Sequence, residues 1–387
     1  MSGGKTKAVT PRLRFPEFRH AGPWEVKRLG EVCEILDNMR KPVTSTKRKP
    51  GPYPYYGASG AIDYIDEYIF DERLLLIGED GAKWGPFEKT AFIVEGKYWV
   101  NNHAHVLRPV TINDVLLENY LNATDVSVYV TGAAPPKLTL DNLKSIRIPV
   151  PLVQEEQKKI ANCLSSLDDL ICAEASRLEA LQAHKKGLMQ QLFPVDGETT
   201  PRLRFPEFRN AGPWEVRRLG EYVEQMAGNS KLIKGRLYQE PGNDRFPGFS
   251  ASGQDVWLDT YEHHGPAIIV SAVGARCGRC FFAEGNWSAI ANTHILLPKQ
   301  NAIDIRFLFE TVTREGFWVI SGSGQPFVKV RDSLIQKTPI PSLPEQQQIA
   351  DCLSSLDDLI RAQGERIEAL KQHKKGLLQQ LFPQEIA

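Results

Sequence analysis

Apolar residues recur at alternating steps of four and three positions in two long segments of the chain. This spacing keeps their side chains on one face of a helix and is typical of a coiled-coil seam. In the first segment the stripe consists of Ile160, Leu164, Leu167, Ile171, Leu178, Leu181, Leu188 and Leu192, and Glu174 and Lys185 fill its remaining positions. In the second segment it consists of Ile349, Leu353, Leu356, Ile360, Ile367, Leu370, Leu377 and Leu381, with Gln363 and Lys374 as polar members.

Prolines delimit both predicted helices. Pro151 and Pro341 precede them, and Pro194 and Pro383 stop them, because proline lacks the amide donor that a helix interior requires. Each helix is expected to have about 35 residues and a length of about 50 Å. One amphipathic helix of this length leaves its apolar stripe uncovered, so we expect the two helices to pack against each other in antiparallel directions.

The helices belong to a larger duplication, since the chain repeats one order of segments in each half. The phrase TPRLRFPEFRHAGPWEVKRLGE begins at Thr10 and returns at Thr200 as TPRLRFPEFRNAGPWEVRRLGE. The helical phrase CLSSLDDLI begins at Cys163 and again at Cys352. The chain therefore consists of two half-chains of about 190 residues each.

Between the opening phrase and the helix, each half carries a middle segment with short β-type runs separated by Gly and Pro turns. The runs lie at 74–78, 92–94, 105–107 and 145–150 in the first half, and at 267–273 and 294–297 in the second. Short phrases of the two segments match, as GASG does with SASG, whereas the sequence between them diverges. Two copies of one scaffold with different loops suit a protein that reads two different targets.

These patterns predict an α+β fold in which two domains are joined by two long helices that form an antiparallel coiled coil, with an internal pseudo-two-fold repeat. The expected boundaries are 1–150 for the first domain, 151–194 for the first helix, 195–340 for the second domain and 341–387 for the second helix. A chain of 387 residues needs such a division, because single hydrophobic cores stop growing beyond about 250–300 residues.

The composition is that of a soluble globular protein. Hydrophobic residues make up 42% and charged residues 24% of the chain, and the formal net charge is zero. The apolar runs fall short of the roughly 18 residues that a membrane span needs, and the basic N-terminus lacks the apolar core of a secretory signal, so we expect a cytoplasmic protein. A surface for nucleic acid must come from local basic patches, since the net charge gives no overall attraction.

Motifs for catalysis and metal binding are missing from the sequence. HExxH, GxSxG and a phosphate loop of the form GxxxxGK[ST] are absent, and GGKT at 3–6 is too short to be one. Cys277 and Cys280 form a lone CxxC, whereas a zinc site requires further ligands at a suitable spacing. His103 and His105 alternate on a predicted strand without a cluster of partners. The sequence thus predicts no catalytic residue and no metal site.

Basic residues beside aromatic and small polar residues indicate contact with DNA in both middle segments. Lysine and arginine neutralise phosphates, and polar and aromatic side chains reach base edges. Such charged runs also occur as solvated loop faces; the duplicated frame favours DNA, because two related readers match the two-folds of a duplex. The candidate DNA-binding residues are Lys47, Arg48, Tyr55, Tyr56, Ser59, Lys83, Asn102, Arg245, Ser250, Ser252, Gln254, Arg276 and Arg279.

Three features of the sequence point to a known family. The half-chains are duplicated, PYPYYGASGAIDYIDEYIF lies at 52–70, and PLVQEEQKKIANCLSSLDDLI at 151–171 has the partner PSLPEQQQIADCLSSLDDLI at 341–360. Over nearly its whole length the chain resembles the specificity subunit of type I restriction–modification enzymes. The resemblance implies that each middle segment is a target recognition domain that reads one half of a split, asymmetric DNA sequence, and that the helices set the spacing.

The resemblance also implies partners. Two modification subunits would supply S-adenosylmethionine-dependent adenine methylation, and two restriction subunits would add translocation and cleavage with ATP and Mg²⁺. This chain would be non-catalytic and hold no cofactor of its own. Its two similar helices offer two equivalent docking faces, although charges on such faces also serve solubility. The candidate docking residues are Arg177, Glu179, Gln182, Lys186, Arg366, Glu368, Lys371 and Lys375.

Three further readings of the residues stay as hypotheses. In the opening phrases, we expect Trp24 and Trp214 to pack against their own domains rather than to contact DNA. A self-contained nuclease or methyltransferase would need a catalytic motif, and methyl transfer by the isolated chain would establish it. A coiled-coil adaptor would bind proteins at its two ends, and it would be favoured if charge reversal at Lys47 and Arg48 left DNA binding unchanged.

Overall fold

The computed structural model describes residues 8–299, 303–322 and 324–383, so the Gly-rich stretch at 3–6 lies outside it. The chain divides into two compact units. The first unit comprises the chain up to Arg177 and from Gln363 onward, and the second comprises Leu178–Ala362. Each unit therefore contains one middle segment and parts of both long helices.

The first unit is built on two four-stranded sheets and one three-stranded sheet. Its strands are β1 (Ala8–Val9), β2 (Trp24–Arg28), β3 (Cys33–Ile35), β4 (Pro50–Gly57), β5 (Gly60–Ile65), β6 (Phe70–Asp71), β7 (Leu74–Gly78), β8 (Ala91–Val94), β9 (Lys97–Val100), β10 (Ala104–Pro109) and β11 (Arg147–Val150). Its helices are α1 (Leu29–Val32), α2 (Asp114–Ala123), α3 (Leu140–Ser145), the first part of α4 (Gln154–Leu192) and the last part of α7 (Leu343–Leu381). The sheets have the orders β3-β10-β7-β8, β5-β4-β9-β6 and β1-β2-β11.

Strand β7 lies at the centre of this unit and is buried over all five residues. Leu75 and Ile77 belong to a core that includes helix α2, and Leu74 and Leu76 belong to a second core that includes strands β6 and β9. A strand that is covered on both faces is a continuous apolar run, as the sequence LLLIG indicated.

The predicted β-type runs of the first unit are confirmed. Those at 74–78, 92–94 and 105–107 lie in β7, β8 and β10. At 145–150 the strand begins only at Arg147, because Ser145 is the last residue of helix α3.

The second unit repeats this architecture. Its strands are β12 (Glu215–Arg218), β13 (Val223–Ala227), β14 (Phe246–Ser250), β15 (Gly253–Leu258), β16 (His263–His264), β17 (Ala267–Ser271), β18 (Cys280–Ala283), β19 (Asn286–Ala289), β20 (Thr293–Pro298) and β21 (Lys337–Ile340). Its helices are α5 (Ile305–Val312), α6 (Val330–Leu334), the last part of α4 and the first part of α7. The sheet orders β13-β20-β17-β18 and β15-β14-β19-β16 match those of the first unit. Strand β20 confirms the run predicted at 294–297, and β17 confirms the run at 267–273 as far as Ser271, where the strand ends.

The two long helices have 39 residues each, about 58 Å at 1.5 Å per residue. The residues of both predicted stripes are buried or half-buried. In the first unit Ile160 and Leu164 share a core with Leu378 and Leu381, so an early part of α4 meets a late part of α7. In the second unit Leu192 shares a core with Ile349 and Leu353, which is the reverse combination. The pairing is therefore antiparallel, as predicted.

Among the described residues, the structure contains no helix that is both long and apolar enough to cross a membrane.

The opening phrase of each half is held by a buried glutamate near the start of a long helix. In the first unit Glu156 is fully buried; Arg14 donates to both of its oxygens at 2.7 Å and Trp24 Nε1 donates at 3.2 Å. In the second unit Glu345 accepts from Trp214 Nε1, again at 3.2 Å. Because both tryptophans are buried in their own unit, the prediction of a structural role for them is confirmed.

Candidate DNA interface

Four loops of the first unit come together where strand β7 ends. The turn between β4 and β5 approaches so closely that a Cβ added to Gly78 would lie 2.9 Å from the carbonyl oxygen of Ala58. The loop before β10 is joined by a hydrogen bond of 2.8 Å from the Glu79 amide to the His103 carbonyl. The loop at 131–138 is joined by a bond of the same length from the Leu138 amide to the Glu79 carbonyl. The fourth loop, 79–90, connects β7 to β8.

Several candidate DNA-binding residues of the first unit are exposed on these loops. Ser59 lies on the turn between β4 and β5, Lys83 lies on the loop that follows β7, and Asn102 lies on the loop before β10. Lys47 is also exposed, at the end of a short 3-10 turn before β4. The structure thus groups Ser59, Lys83 and Asn102 at one end of the unit, as a DNA-reading surface requires.

Three other candidates in the first unit are occupied by packing. Tyr55 is only 1% exposed, and its hydroxyl accepts a hydrogen bond of 2.9 Å from the Val43 amide. The Arg48 guanidinium lies 4.3 Å from the centre of the Tyr55 ring and donates to Asp63 at 3.1 Å. Tyr56 is half-buried and its ring packs edge-on against Tyr98. The prediction of a base contact by Tyr55 is therefore wrong, because its ring and hydroxyl hold the loop that precedes β4.

The second unit presents the equivalent loops with other side chains. Ser252 is exposed on the turn between β14 and β15, Gln254 is exposed near the start of β15, and Arg276 and Arg279 are exposed on the loop between β17 and β18. The loop before α6 joins this region through a hydrogen bond of 2.8 Å from the Val328 amide to the Ala272 carbonyl. The start of β15 lies beside β18, since a Cβ added to Gly253 would be 3.2 Å from the Phe281 ring, so the four predicted residues belong to one region of the unit.

The remaining candidates of the second unit are engaged inside it. Ser250 is 4% exposed, and its hydroxyl accepts a hydrogen bond of 3.0 Å from the Ser252 amide. The predicted DNA contact by Ser250 is therefore corrected, since the hydroxyl stabilises the turn. Arg245 is half-buried, lies 3.4 Å from the centre of the Tyr238 ring and donates to the Glu240 carbonyl at 3.2 Å.

A charged cluster lies directly beneath the loops of the first unit, and its members are buried or half-buried except for the exposed Lys137. His105 is 1% exposed; its Nδ1 lies 2.5 Å from Asp37 Oδ2, and its Nε2 lies 2.7 Å from the carbonyl oxygen of Leu138. Glu79 is paired with Arg40, and with Lys137 at 2.7 Å. We call Asp37, Arg40, Glu79, His105 and Lys137 the His105 cluster.

The expectation that His105 has no cluster of partners was wrong. Asp37 lies 68 residues before it in the chain, just after a short strand that the sequence patterns did not predict. Glu79 follows the buried run LLLIG, and an acidic residue at the end of a buried strand was the signal available.

The His105 cluster is better explained as an ion-pair network than as a metal site. Ligand atoms of Asp37, Glu79 and His105 lie within 4.8 Å of one another. The side chains of Arg40 and Lys137 already donate to Glu79, so cations of the protein itself balance the buried carboxylates. Burial opposes ionisation of Asp37, but the hydrogen bond and the charge of His105 outweigh it and lower the pKa of this carboxyl.

The CxxC pair of the second unit has the environment of packed thiols. Cys280 accepts from Trp318 Nε1 at 3.3 Å, and burial raises its pKa to about 12. Since the thiolate is the form that binds metal and attacks substrates, this cysteine is poorly suited to either role.

The candidate docking residues on the two long helices are all exposed. Some of them also make local contacts. Arg366 pairs at 2.7 Å with the buried Glu174, Lys371 pairs with Glu368 at 2.7 Å, and Lys375 Nζ lies 4.6 Å from the centre of the Phe87 ring. Their exposed parts leave a polar face along each helix, opposite the seam.

A family model described as the type I restriction modification DNA specificity domain matches the chain twice, at residues 22–183 and 212–372. Each match takes in one middle segment and the larger part of the long helix that follows it. The chain therefore belongs to the family of type I restriction–modification specificity proteins, and it carries their domain in two copies.

Curated relatives agree with this assignment, and a solved structure shares the fold. The chain is 38% identical over 146 residues to a putative type I restriction enzyme specificity subunit of Haemophilus influenzae, an alignment that spans 37% of this chain and 38% of that protein. It is 24% identical over 413 residues to the type I restriction enzyme MjaVIII specificity subunit of Methanocaldococcus jannaschii, which spans 96% of this chain and 93% of the relative. The S subunit of a type I restriction-modification system from M. genitalium superposes with a TM-score of 0.68 at 16% identity, over 97% of this chain and 99% of that one. The last likeness supports the predicted fold class.

Proposed function

We propose that this chain is the DNA sequence-recognition subunit of a type I restriction–modification complex, in which each unit reads one half of an asymmetric, bipartite DNA target. The observation that carries the proposal is that both units present the same set of loops with different side chains. In the first unit the loop after β7 reads EDGAKWGPFEKT at 79–90; in the second the loop after β17 reads AVGARCGR at 272–279. One scaffold with two loop sets suits a target with two unlike halves.

The chemistry of the exposed loop residues supports contact with a duplex. Lys83, Arg276 and Arg279 are exposed cations that neutralise phosphates or reach guanine edges. Asn102 and Gln254 are exposed amides, and amides match the donor and acceptor pair of adenine in the major groove. The loops of Lys83, Arg276 and Arg279 follow strands β7 and β17, which are buried over their whole length, and this gives a reading surface the rigid support it needs.

The two long helices are proposed to set the distance between the half-sites and to dock two modification subunits, through which two restriction subunits join. Both helices keep exposed polar faces with similar sequences, and two equivalent faces in one chain suit two copies of one partner. We propose that the chain itself is non-catalytic. S-adenosylmethionine, ATP and Mg²⁺ would then be bound by the partner subunits.

The proposal is tested by a methylome. The chain is co-expressed with its modification subunit in a host without DNA methylation, and modified adenines are mapped by sequencing. We expect a single split motif with two unlike halves. Absence of methylation from a well-folded complex, or methylation of unrelated sites, would contradict the proposal.

Matched variants assign the units to the halves. Ser59 and Ser252 occupy equivalent turns in the two units, so Ser59→Ala with Asn102→Ala is compared with Ser252→Ala with Gln254→Ala. Each double variant is expected to relax the base preference in one half-site. The half-site affected should differ between the two double variants. Relaxation of the same half by both pairs would contradict the assignment of one reader per unit.

A further inference from the structure

We propose that the His105 cluster is a positioning device for the loop at 131–138, and that it thereby sets base discrimination at one half-site only. The inference rests on the proposed function and deepens it, because it concerns how one of the two readers is held. It makes His105 a positioning residue, since the side chain is buried and acts through the loop above it.

The geometry of His105 explains how the loop is held. A backbone carbonyl and an ionised carboxylate are both acceptors, so the ring donates from Nε2 to Leu138 and from Nδ1 to Asp37, which are 2.7 and 2.5 Å away. Asp37 is in turn bound to strand β10, because its other oxygen accepts from the Val106 amide at 3.0 Å. The ring therefore links the end of the loop to the central sheet.

Glu79 provides a second attachment to the same loop. Lys137 pairs with its carboxylate at 2.7 Å, and its backbone carbonyl accepts from the Leu138 amide at 2.8 Å. The opposite side of this carboxylate is held by Arg40. The loop residues 131–137 are all exposed, so the loop has little core of its own and its position depends on these attachments.

The second unit holds its corresponding loop without such charges. Strand β3 pairs Ile35 with Leu107, and two residues further along this register Asp37 lies opposite His105. In the second unit the residue opposite His294 is Ala227, so an alanine stands where the first unit has Asp37. Ala272 takes the place of Glu79, since its carbonyl accepts from the Val328 amide as the Glu79 carbonyl accepts from Leu138. Burial lowers the pKa of His294, which favours the neutral ring. The charged attachment is therefore a property of the first unit.

The decisive experiment compares His105→Gln with His294→Gln in the complex with the modification subunit. Methylation rates are measured on the cognate duplex and on duplexes with one base changed in either half-site. For His105→Gln we expect the ratio of cognate to non-cognate rate to fall about ten-fold at one half-site, the scale of one lost bidentate base contact, with the other half unchanged. His294→Gln should leave the ratio at that first half-site unaltered.

Controls separate positioning from general loosening. Ile148→Val removes a methyl group from the core of the same unit without touching the cluster, so its discrimination ratios should equal those of the wild type. If His105→Gln fails to fold, as judged by thermal melting, Glu79→Gln takes its place and should relax the same half-site. Unchanged ratios, or equal relaxation at both half-sites, would overturn the inference. If even the wild-type complex showed no bipartite motif, the proposed function would fail instead.

Discussion

Gln363 donates a hydrogen bond of 2.6 Å from its side-chain amide to the carboxylate of Glu174 in the middle of the helix seam, 189 residues away along the chain. The two residues occupy the same position in the two repeats, yet they differ in charge. Arg366 pairs with the same carboxylate at 2.7 Å. This polar layer thus contains one buried carboxylate, one neutral amide and one cation, so the two helices differ in charge at this position.

The polar layer predicts opposite effects for single and paired substitutions. Gln363→Glu places two carboxylates in contact within a buried seam, and we expect it to lower the free energy of unfolding by about 2–3 kcal/mol at pH 7. Adding Glu174→Gln should restore most of the lost stability. Arg177 occupies the same repeat position as Arg366, so it can pair with the carboxylate that is now at position 363. Chemical denaturation of the three variants checks this. If the double variant lost as much free energy of unfolding as the two single variants together, the two positions would not be interchangeable and the prediction would be wrong.

A second prediction uses two lysines at equivalent positions of the helices. Lys185 binds both Asp357 at 2.7 Å and the buried Glu310 at 3.0 Å, whereas Lys374 binds Asp168 at 2.6 Å. Removing Lys185 leaves Glu310 buried without its cation. We therefore expect Lys185→Met to lower the free energy of unfolding by about 3 kcal/mol. Lys374→Met should lower it by about 1 kcal/mol, because the aspartate that Lys374 binds is half-exposed. Thermal unfolding at pH 7 measures both.

The pH dependence of that difference has a definite sign. Burial raises the pKa of Glu310 despite the charge of Lys185, and loss of the lysine raises it further. A group with a raised carboxyl pKa destabilises the folded state at high pH and ceases to do so once it is protonated. The loss of stability in Lys185→Met should therefore shrink on acidification. A deficit that grows as pH falls would show that Glu310 is not the group left uncompensated.

A third prediction concerns acid stability of the first unit. Burial opposes ionisation of Asp37 and Glu79, but hydrogen bonds from His105 to Asp37, and from Lys137 and Arg40 to Glu79, outweigh it and lower both pKa values. Carboxyls whose pKa is lower in the folded state stabilise it above the unfolded value, and this stabilisation is lost as pH falls through the folded value. We expect the unit to weaken below about pH 4, read locally from hydrogen exchange of the Val106 amide.

The matched variant for acid stability is Asp37→Asn. It should be less stable than the wild type at neutral pH, and this difference in the free energy of unfolding should narrow as the pH falls below about 4. The Asp37 carboxyl of the unfolded wild type takes up a proton there, and that of the folded protein, whose pKa is lowered, does so at lower pH. Asp66→Asn changes an exposed carboxyl of the same unit and should show no such narrowing. A gap for Asp37→Asn that is constant with pH would show that the charge of this residue does not matter.

The sequence predicted the features that depend on neighbouring residues and missed those that depend on residues far apart along the chain. The heptad stripe is a local pattern, and it placed even its polar members, since Glu174 and Gln363 both lie in the seam. The apolar run LLLIG likewise identified the central strand. Tyr55 and His105 were misjudged because their surroundings come from distant segments. The ring of Tyr55 is covered by Arg48, and the partners of His105 are brought to it by three separate loops. Spacing along the chain carries little information on such contacts.

The last prediction tests whether the helices determine the spacing of the target. Removing residues 171–177 from α4 and 360–366 from α7 deletes one heptad from each helix around the contact between Glu174 and Gln363, so the stripes stay in register. Each helix becomes about 10 Å shorter, and the spacer between the half-sites should shorten by roughly three base pairs at 3.4 Å each.

The same methylome that defines the wild-type motif measures this effect. Both half-sites should keep their bases, because neither recognition surface is changed. Deleting the heptad from α4 alone is the control; it breaks the register of the seam and should abolish assembly rather than alter the spacing. A folded complex of the doubly shortened chain that still methylates the original spacing would rule out the helices as the determinant of target length.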